Sequence, residues 1–277
     1  MTENSTGRLT LVGTPIGNLS DVSPRALEAL RACDFIAAED TRVTLNLLNR
    51  FDIKKPLVSY HEHNKRERGA EICARLLAGE NAVLVSDAGL PAISDPGEDL
   101  VRLCHERQIP VGIVPGPCAL VTALALSGMP AGRFTFEGFL STTKRVRREH
   151  LLSLQHETRT MLFYEAPHKL PTTLSDMLAV FGDRPIALVR ELTKIHEEVI
   201  RTTLSAAAER FAKESPRGEF VVIVGGAQKR SEETLSFEEA VTLAREYMTA
   251  GMSPSAAAKQ AAAETGHKKN ELYRQLI

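Results

Sequence analysis

The run Ser86-Asp87-Ala88-Gly89-Leu90-Pro91-Ala92-Ile93-Ser94-Asp95-Pro96-Gly97 places small residues, prolines and two carboxylates directly after the apolar stretch Ala82-Val83-Leu84-Val85. At a strand end such a loop suits ligand binding. Glycine and serine let backbone N–H groups come close, and aspartate offers a negative partner for an amine. The mixture fits a zwitterion better than a bare phosphate. Two further segments share the design: Leu9-Thr10-Leu11-Val12 runs into Gly13-Thr14-Pro15-Ile16-Gly17-Asn18-Leu19-Ser20-Asp21, and Val111-Gly112-Ile113-Val114 runs into Pro115-Gly116-Pro117-Cys118-Ala119. One such segment marks only a turn; three together favour a shared site. None carries the Gly-Lys-Ser/Thr of a P-loop, and the first lacks Gly-x-Gly-x-x-Gly, which argues against nucleoside triphosphate and NAD.

Short apolar runs that could position these loops occur at 9–12, 34–38, 57–60, 82–86 and 111–114, alternating with helical patterns near 24–32, 41–50, 66–78, 97–107 and 117–127. That alternation predicts a parallel α/β domain. Ser23-Pro24 supplies a helix N-cap and first-turn proline, and Asp95-Pro96 is expected to do the same, with the positive helix ends facing the site. After Gly128-Met129-Pro130-Ala131-Gly132 the pattern changes to strands at 134–140, 160–165, 186–191, 196–204 and 219–224. The strands 186–191 and 196–204 are joined by Leu192-Thr193-Lys194-Ile195 alone, too short for a parallel crossover, so they are expected to pair antiparallel in a mixed sheet. A polar stretch, 227–234, leads to helical segments at 237–250 and 254–277. The expected organisation is an α/β N-terminal domain at 8–130, a second, mixed-sheet α/β domain at 131–226 and a helical tail at 236–277.

Composition sets wider bounds. With 277 residues, 43% hydrophobic and 25% charged, the chain can bury substantial cores, which excludes disordered and fibrous classes. Met1-Thr-Glu-Asn-Ser-Thr-Gly7 has no apolar signal region, and Pro and Gly interrupt the most apolar stretch, 111–129, so a cytoplasmic protein without membrane contact is expected. Cys33, Cys73, Cys104 and Cys118 lack metal-ligand spacing and read as packing residues in a reducing compartment, with no metal expected. A net charge of -1 gives no large field for nucleic acid, so any such contact must come from local patches.

Six segments carry a more specific likeness: Val12-Gly-Thr-Pro-Ile-Gly-Asn18, Ala38-Glu-Asp-Thr-Arg42, the 86–97 loop, Phe136-Glu-Gly-Phe-Leu140, Phe163-Tyr-Glu-Ala-Pro-His168 and Arg190-Glu-Leu-Thr-Lys194. In these the chain resembles the bacterial 16S ribosomal RNA cytidine 2'-O-ribose methyltransferase family, of the tetrapyrrole-methylase fold superfamily, over nearly its whole length. The resemblance implies S-adenosylmethionine bound between two domains, methyl transfer to a ribose 2'-hydroxyl in the small ribosomal subunit, and a homodimer. The implied cofactor contacts are Gly13 and Pro15 in the first loop, Ser86, Asp87, Ala88, Gly89, Pro91 and Ser94 in the second, and Pro117, Cys118 and Ala119 in the third. Cys118 departs from the family pattern, where Ser or Thr is usual, and costs a hydrogen bond if that hydroxyl touches the cofactor.

A sulfonium methyl is already activated, so the protein must align a hydroxyl opposite the leaving sulfur and manage one proton. The candidates are Glu39, Asp40 and Arg42, Glu165 and His168, and Arg190, Glu191 and Lys194. Each taken singly is equally explained by a salt bridge, cap or interface contact: Asp40-Thr41 is an ordinary N-cap, and His168 can cap the helix after Pro167. Lys194 is the first choice for substrate contact, a cation in a tight turn. For RNA, the run Lys144-Arg145-Val146-Arg147-Arg148 opens a helix, offering Arg145, Arg147 and Arg148; Lys65-Arg66-Glu67-Arg68 is a second basic run. The tail has a helix-turn-helix form with Lys268 and Lys269 in its turn, and a docking hairpin explains it equally well. Two other functions fit less of the sequence. A tetrapyrrole C-methyltransferase has no evident use for the basic run or tail, and a non-catalytic regulator reading through the helix-turn-helix would need DNA binding without methyl transfer.

Overall fold

The computed structural model describes residues 6–228 and 235–277; residues 1–5 and the 229–234 part of the polar stretch lie outside the described residues. The first half alternates β1 (Leu9–Val12), α1 (Pro24–Ala32), β2 (Phe35–Ala38), α2 (Thr41–Arg50), β3 (Leu57–Ser59), α3 (Lys65–Leu77), β4 (Ala82–Val85), α4 (Glu98–Glu106) and β5 (Val111–Val114), then α5 (Ala119–Ser127). The strands form one parallel sheet in the order β3-β2-β4-β1-β5. Side chains alternate along each strand, so Leu9, Leu11, Phe35, Ala37 and Leu84 pack on Ile72 and Leu76 of α3 and Leu100 of α4. Their neighbours Val12, Ile36, Ala38, Val83 and Val85 pack on Ala26 and Leu30 of α1 and Leu48 of α2. Both faces are covered, which explains why β2 and β4 are apolar at every position.

That winding creates the site. The chain leaves β1 toward β2 and leaves β4 in the opposite direction, toward β5, and β1 and β4 are neighbours. A crevice opens beyond the carboxyl ends of strands at such a reversal. The two loops are laced across it: Thr14 N–H donates to the Gly89 carbonyl at 2.8 Å, and Gly89 N–H to the Thr14 carbonyl at 3.1 Å.

The second half runs β6 (Phe134–Phe139), α6 (Lys144–Ser153), β7 (Thr160–Glu165), α7 (Leu170–Phe181), β8 (Pro185–Arg190), β9 (Glu198–Thr203), α8 (Leu204–Lys213) and β10 (Phe220–Val224). Its sheet, β6-β7-β10-β8-β9, is mixed: β6 and β7 are parallel, and β7, β10, β8 and β9 pair antiparallel in turn. One face carries α7 and α8 through Leu174, Met177 and Phe211; the other receives Ala123 and Leu124 of α5. Helix α5 thus leaves the first sheet in sequence but packs in the core of the second.

The chain forms two compact units, Met1–Gly225, which holds both sheets, and Gly226–Ile277. The second contains α9 (Phe237–Thr249), α10 (Pro254–Thr265) and α11 (Lys269–Arg274) around Ala240, Ala244, Ala258, Ala261 and Leu272. A capping box between Ser236 and Glu239 starts α9, and Gly266 in the left-handed conformation ends α10. No described helix is long and apolar enough to cross a membrane.

Three local expectations are corrected. Asp95-Pro96 does not cap α4: the helix begins at Glu98 behind Gly97, whose φ of +147° turns the chain, and Asp95 faces the crevice instead. His168 does not cap α7, whose N-cap position is Lys169 with no side-chain bond. Strand β9 stops at Thr203, because the Thr203 hydroxyl accepts from Ala206 N–H and starts α8, a helix the sequence pattern did not reveal.

Candidate functional site

A cavity of about 530 Å³ lies where the loops after β1, β4 and β5 meet the ends of β7, β8 and β10. Ile16, Gly89, Cys118 and Ala119 bring in the three small-residue loops; Phe139, Tyr164, Val189, Leu192 and Val221 supply apolar wall from the second sheet. The loops can come so close only because they carry glycine. A Cβ on Gly13 would stand 2.8 Å from the Gly116 Cα, and one on Gly17 would stand 2.7 Å from the Lys194 Cγ. The 86–97 loop is also held in unusual backbone states. Gly89, Ala92, Ser94 and Gly97 all have positive φ, which for Ala92 and Ser94 stores strain of the kind found at ligand clamps.

The cavity is acidic. Among the described residues, Glu39, Asp87, Asp95, Glu165, Glu191 and Glu219 line it against one cation, Lys194. Burial, and then the charge of Asp87, raise Glu39 above the usual carboxylate range. Burial, reinforced by Glu39 and Asp87, pushes Asp95 up to about 6. Carboxylates crowded in this way gain most from a positively charged guest, which relieves their mutual repulsion. Helix α5 also opens on the cavity, with Cys118 at its N-cap position and no side-chain cap; its first turn, where Leu120 N–H donates to the Tyr164 hydroxyl at 3.1 Å, adds the positive end of a helix to the lining. A cavity with a carboxylate cluster, a helix N-terminus and apolar walls fits a molecule that joins ammonium, carboxylate, a cationic centre and a flat ring.

The remaining candidates take several positions. Ala88 and Ser94 line the cavity. Ser86 is buried beneath it, its hydroxyl 3.4 Å from the Ala88 carbonyl oxygen, and Pro91 is buried in the same loop. Pro15 lines a shallower neighbouring cavity of about 300 Å³ that shares Asp87. Gly13 and Pro117 shape the loops from outside the main cavity. Asp40 and Arg42 do not line the main cavity. Arg42 grips the Asp40 carboxylate, holding it down to about 2, and Asp40 N–H donates to Asp87 Oδ1 at 3.0 Å. Glu165 is 2% exposed and committed, accepting from Thr173 Oγ1 at 2.6 Å and from Ala166 N–H at 2.9 Å. Arg190 is paired with Glu198 at 2.6 Å.

Among the described residues, Lys194 is the cation that lines the cavity. Its Nζ lies 3.0 Å from Glu191 Oε1 in a turn where Glu191 and Thr193 both have positive φ. Burial raises Glu191, but the Lys194 hydrogen bond and Glu219 N–H outweigh it, leaving the carboxyl below its usual range. Of the basic run on α6, Lys144, Arg145 and Arg148 are exposed, whereas Arg147 is 8% exposed, turned inward onto Asp176 at 2.7 Å and onto the carbonyls of Ser141 and Thr142. Lys268 and Lys269 sit at the start of α11. Phe139 and Tyr164 escaped the sequence reasoning as site residues, although both lie in quoted motifs at strand ends.

Comparison with known proteins fixes the family. Residues 8–208 match the Tetrapyrrole (Corrin/Porphyrin) Methylases, and residues 236–277 match the RsmI C-terminal HTH domain. The ribosomal RNA small subunit methyltransferase I of Synechocystis is 47% identical over 268 residues, covering 96% of each chain. That of Pseudomonas aeruginosa is 46% identical over 277 residues, 99% of this chain and 98% of the relative. The chain belongs to the ribosomal RNA small subunit methyltransferase I family. Like the members of that family, it is a methyltransferase, and S-adenosylmethionine is its methyl donor. The fold is shared more widely: the uroporphyrin-III C-methyltransferase of Thermus thermophilus, solved with S-adenosyl homocysteine, superposes with a TM-score of 0.56 at 20% identity, over 79% of this chain and 97% of that one.

Proposed function

We propose that the 530 Å³ cavity holds S-adenosylmethionine and that the protein transfers its methyl group to the ribose 2'-hydroxyl of a cytidine in 16S ribosomal RNA of the small subunit. The observation that carries the reading is the make-up of that cavity, in which Glu39, Asp87, Asp95 and the first turn of α5 accompany the small-residue loops, while Lys194, paired with Glu191, stands in the turn after β8. The bound donor supplies a methyl group activated for in-line displacement. The chain's own residues then position. Glu39, Asp87 and Asp95 hold positive charge, Gly89 and Ala119 give room, and Asp40 fixes Asp87 through its backbone N–H. Lys194 stabilises the developing alkoxide, and Glu191, too acidic to be a good base, orients Lys194.

In this reading residues 8–130 bind the donor, 131–226 present the substrate, and 236–277 extend the RNA contact through Lys268 and Lys269. Ile113 on the sheet edge and Val121 and Leu126 on α5 leave exposed apolar surface that supports a homodimer. The setting is the cytoplasm. The test is to incubate the protein with methyl-labelled S-adenosylmethionine and small ribosomal subunits lacking the modification, then map the label. Label on a cytidine ribose is expected; transfer to a porphyrinoid but not to RNA would reject the reading.

The α6 cations give a separate expectation. Arg145→Ala with Arg148→Ala removes two exposed charges, so binding to small subunits should weaken and the slope of log affinity against log salt should flatten by about two. Arg147→Ala behaves differently, because it leaves Asp176 without its partner, and is expected to lower stability by about 3 kcal/mol. A salt titration with a parallel melting curve separates the two.

A further inference from the structure

Phe139 lines the cavity wall and yet is 57% exposed. A wall residue needed only for the donor would be covered by its neighbours, and Phe139 is not. Its placement is nonetheless built. Side chains alternate along a strand, so Phe136 and Phe139, three residues apart, would fall on opposite faces of a regular β6. A bulge changes this: Phe136 pairs with Leu162, Gly138 with Phe163 and Phe139 with Tyr164, leaving Glu137 as the extra residue. Gly138 absorbs the kink at a φ of +65°, and the Glu137 carboxylate is anchored 3.1 Å from His150 Nε2 of α6. Both phenylalanine rings consequently pack on Tyr164, with centroids at 5.0 and 5.5 Å and interplanar angles of 69° and 57°. Tyr164 is itself fixed, its hydroxyl accepting from Leu120 N–H at 3.1 Å.

The surroundings specify a guest. Helix α6 begins shortly after Phe139 and presents Lys144, Arg145 and Arg148 to solvent. The carboxylates Glu39, Asp87, Asp95 and Glu191 within the cavity repel phosphate. An RNA strand that met these cations with its phosphates would find carboxylates inside the cavity, which admit the uncharged parts of a nucleotide more readily than its phosphate. A nucleotide whose ribose is to meet the donor must leave its stack, and its bared base then seeks an aromatic face.

We propose that Phe139 is a stacking platform for the base of the target nucleotide, placed by the β6 bulge so that the attached ribose faces the donor. The proposal rests on the RNA-methylation reading. It is tested in the full chain with Phe139→Ala, Phe139→Leu, Phe139→Tyr and Phe139→Trp, measuring methylation kinetics on unmodified small subunits beside calorimetric affinity for S-adenosylmethionine. Ala and Leu should raise KM for subunits by about ten- to a hundredfold, while Tyr and Trp stay within about threefold of the parent, because a π face is what is required. Melting temperature should not move in any of the four, and because Phe139 is also cavity wall, donor affinity in the Ala and Leu variants should change far less than KM for subunits. Parent-like KM in the Ala or Leu variant overturns the proposal, and so does a loss of donor affinity as large as the change in KM, which would make Phe139 donor wall alone; both leave RNA methylation standing. A parent protein that methylates no RNA overturns both.

Discussion

Lys194→Ala is expected to lower single-turnover methyl transfer to small subunits by about 10²- to 10³-fold, the usual cost of removing a group that stabilises a developing oxyanion. The geometry makes this a clean test. Lys194 is part-exposed and its partner Glu191 keeps the Glu219 N–H, so the lost ion pair is worth at most about 1 kcal/mol and melting should shift by only a few degrees. Calorimetric affinity for S-adenosylmethionine should stay near that of the parent, because the carboxylates on the donor side are untouched. Lys194→Arg should recover only part of the rate, since a planar guanidinium keeps the charge but lacks the compact geometry of an ammonium. Full activity in Lys194→Ala, or a loss that merely follows unfolding, would assign the residue to scaffolding.

Gly89→Leu should abolish measurable S-adenosylmethionine binding and methylation with it. Gly89 has a φ of +84°, and a Cβ there would meet Ile16 Cγ2 at 3.4 Å and the Pro117 carbonyl oxygen at 3.7 Å, so a longer side chain must branch into the space between the three loops. Gly89→Ala is the control. It bears the same backbone strain, about 1–2 kcal/mol, without filling the cavity, and should lose far less affinity than the leucine variant. Equal losses in the two would show that the backbone state of the loop matters and its open volume does not. Unchanged affinity in a folded Gly89→Leu would reduce the loop to a turn.

The effects differ in kind because the residues act at different levels. Gly89 shapes space, Lys194 supplies charge at the reacting end, and Arg145 and Arg148 act at a distance through counterions. A uniform loss across all three would point to unfolding.

Local signals in the sequence determined the first sheet and its loops. Apolar runs of four residues, the Ser23-Pro24 cap and glycine-proline segments after strands are short-range physics, and they placed β1 through β5 and the crevice loops within a residue or two. The short link expected at 192–195, which the structure lengthens to the seven residues 191–197, likewise required β8 and β9 to be antiparallel. The motif resemblance supplied the family, which periodicity could not. Tertiary structure decided the rest. The exposed run at 144–148 read as uniformly basic, but helical geometry turns Arg147 inward to Asp176 while Arg145 and Arg148 face solvent. Asp95 read both as a ligand carboxylate of the loop and as a helix cap; beside the positive φ at Ser94 and Gly97 it takes the first of these places, in the cavity, where burial beside Glu39 and Asp87 raises its pKa. Phe139 and Tyr164 became site residues only when a one-residue bulge brought Phe139 round to the cavity face. Composition and spacing record which residues follow one another. Which of them share a cavity depends on register, on strand order and on the helices that cover each face, and these are settled by packing between segments far apart in the chain.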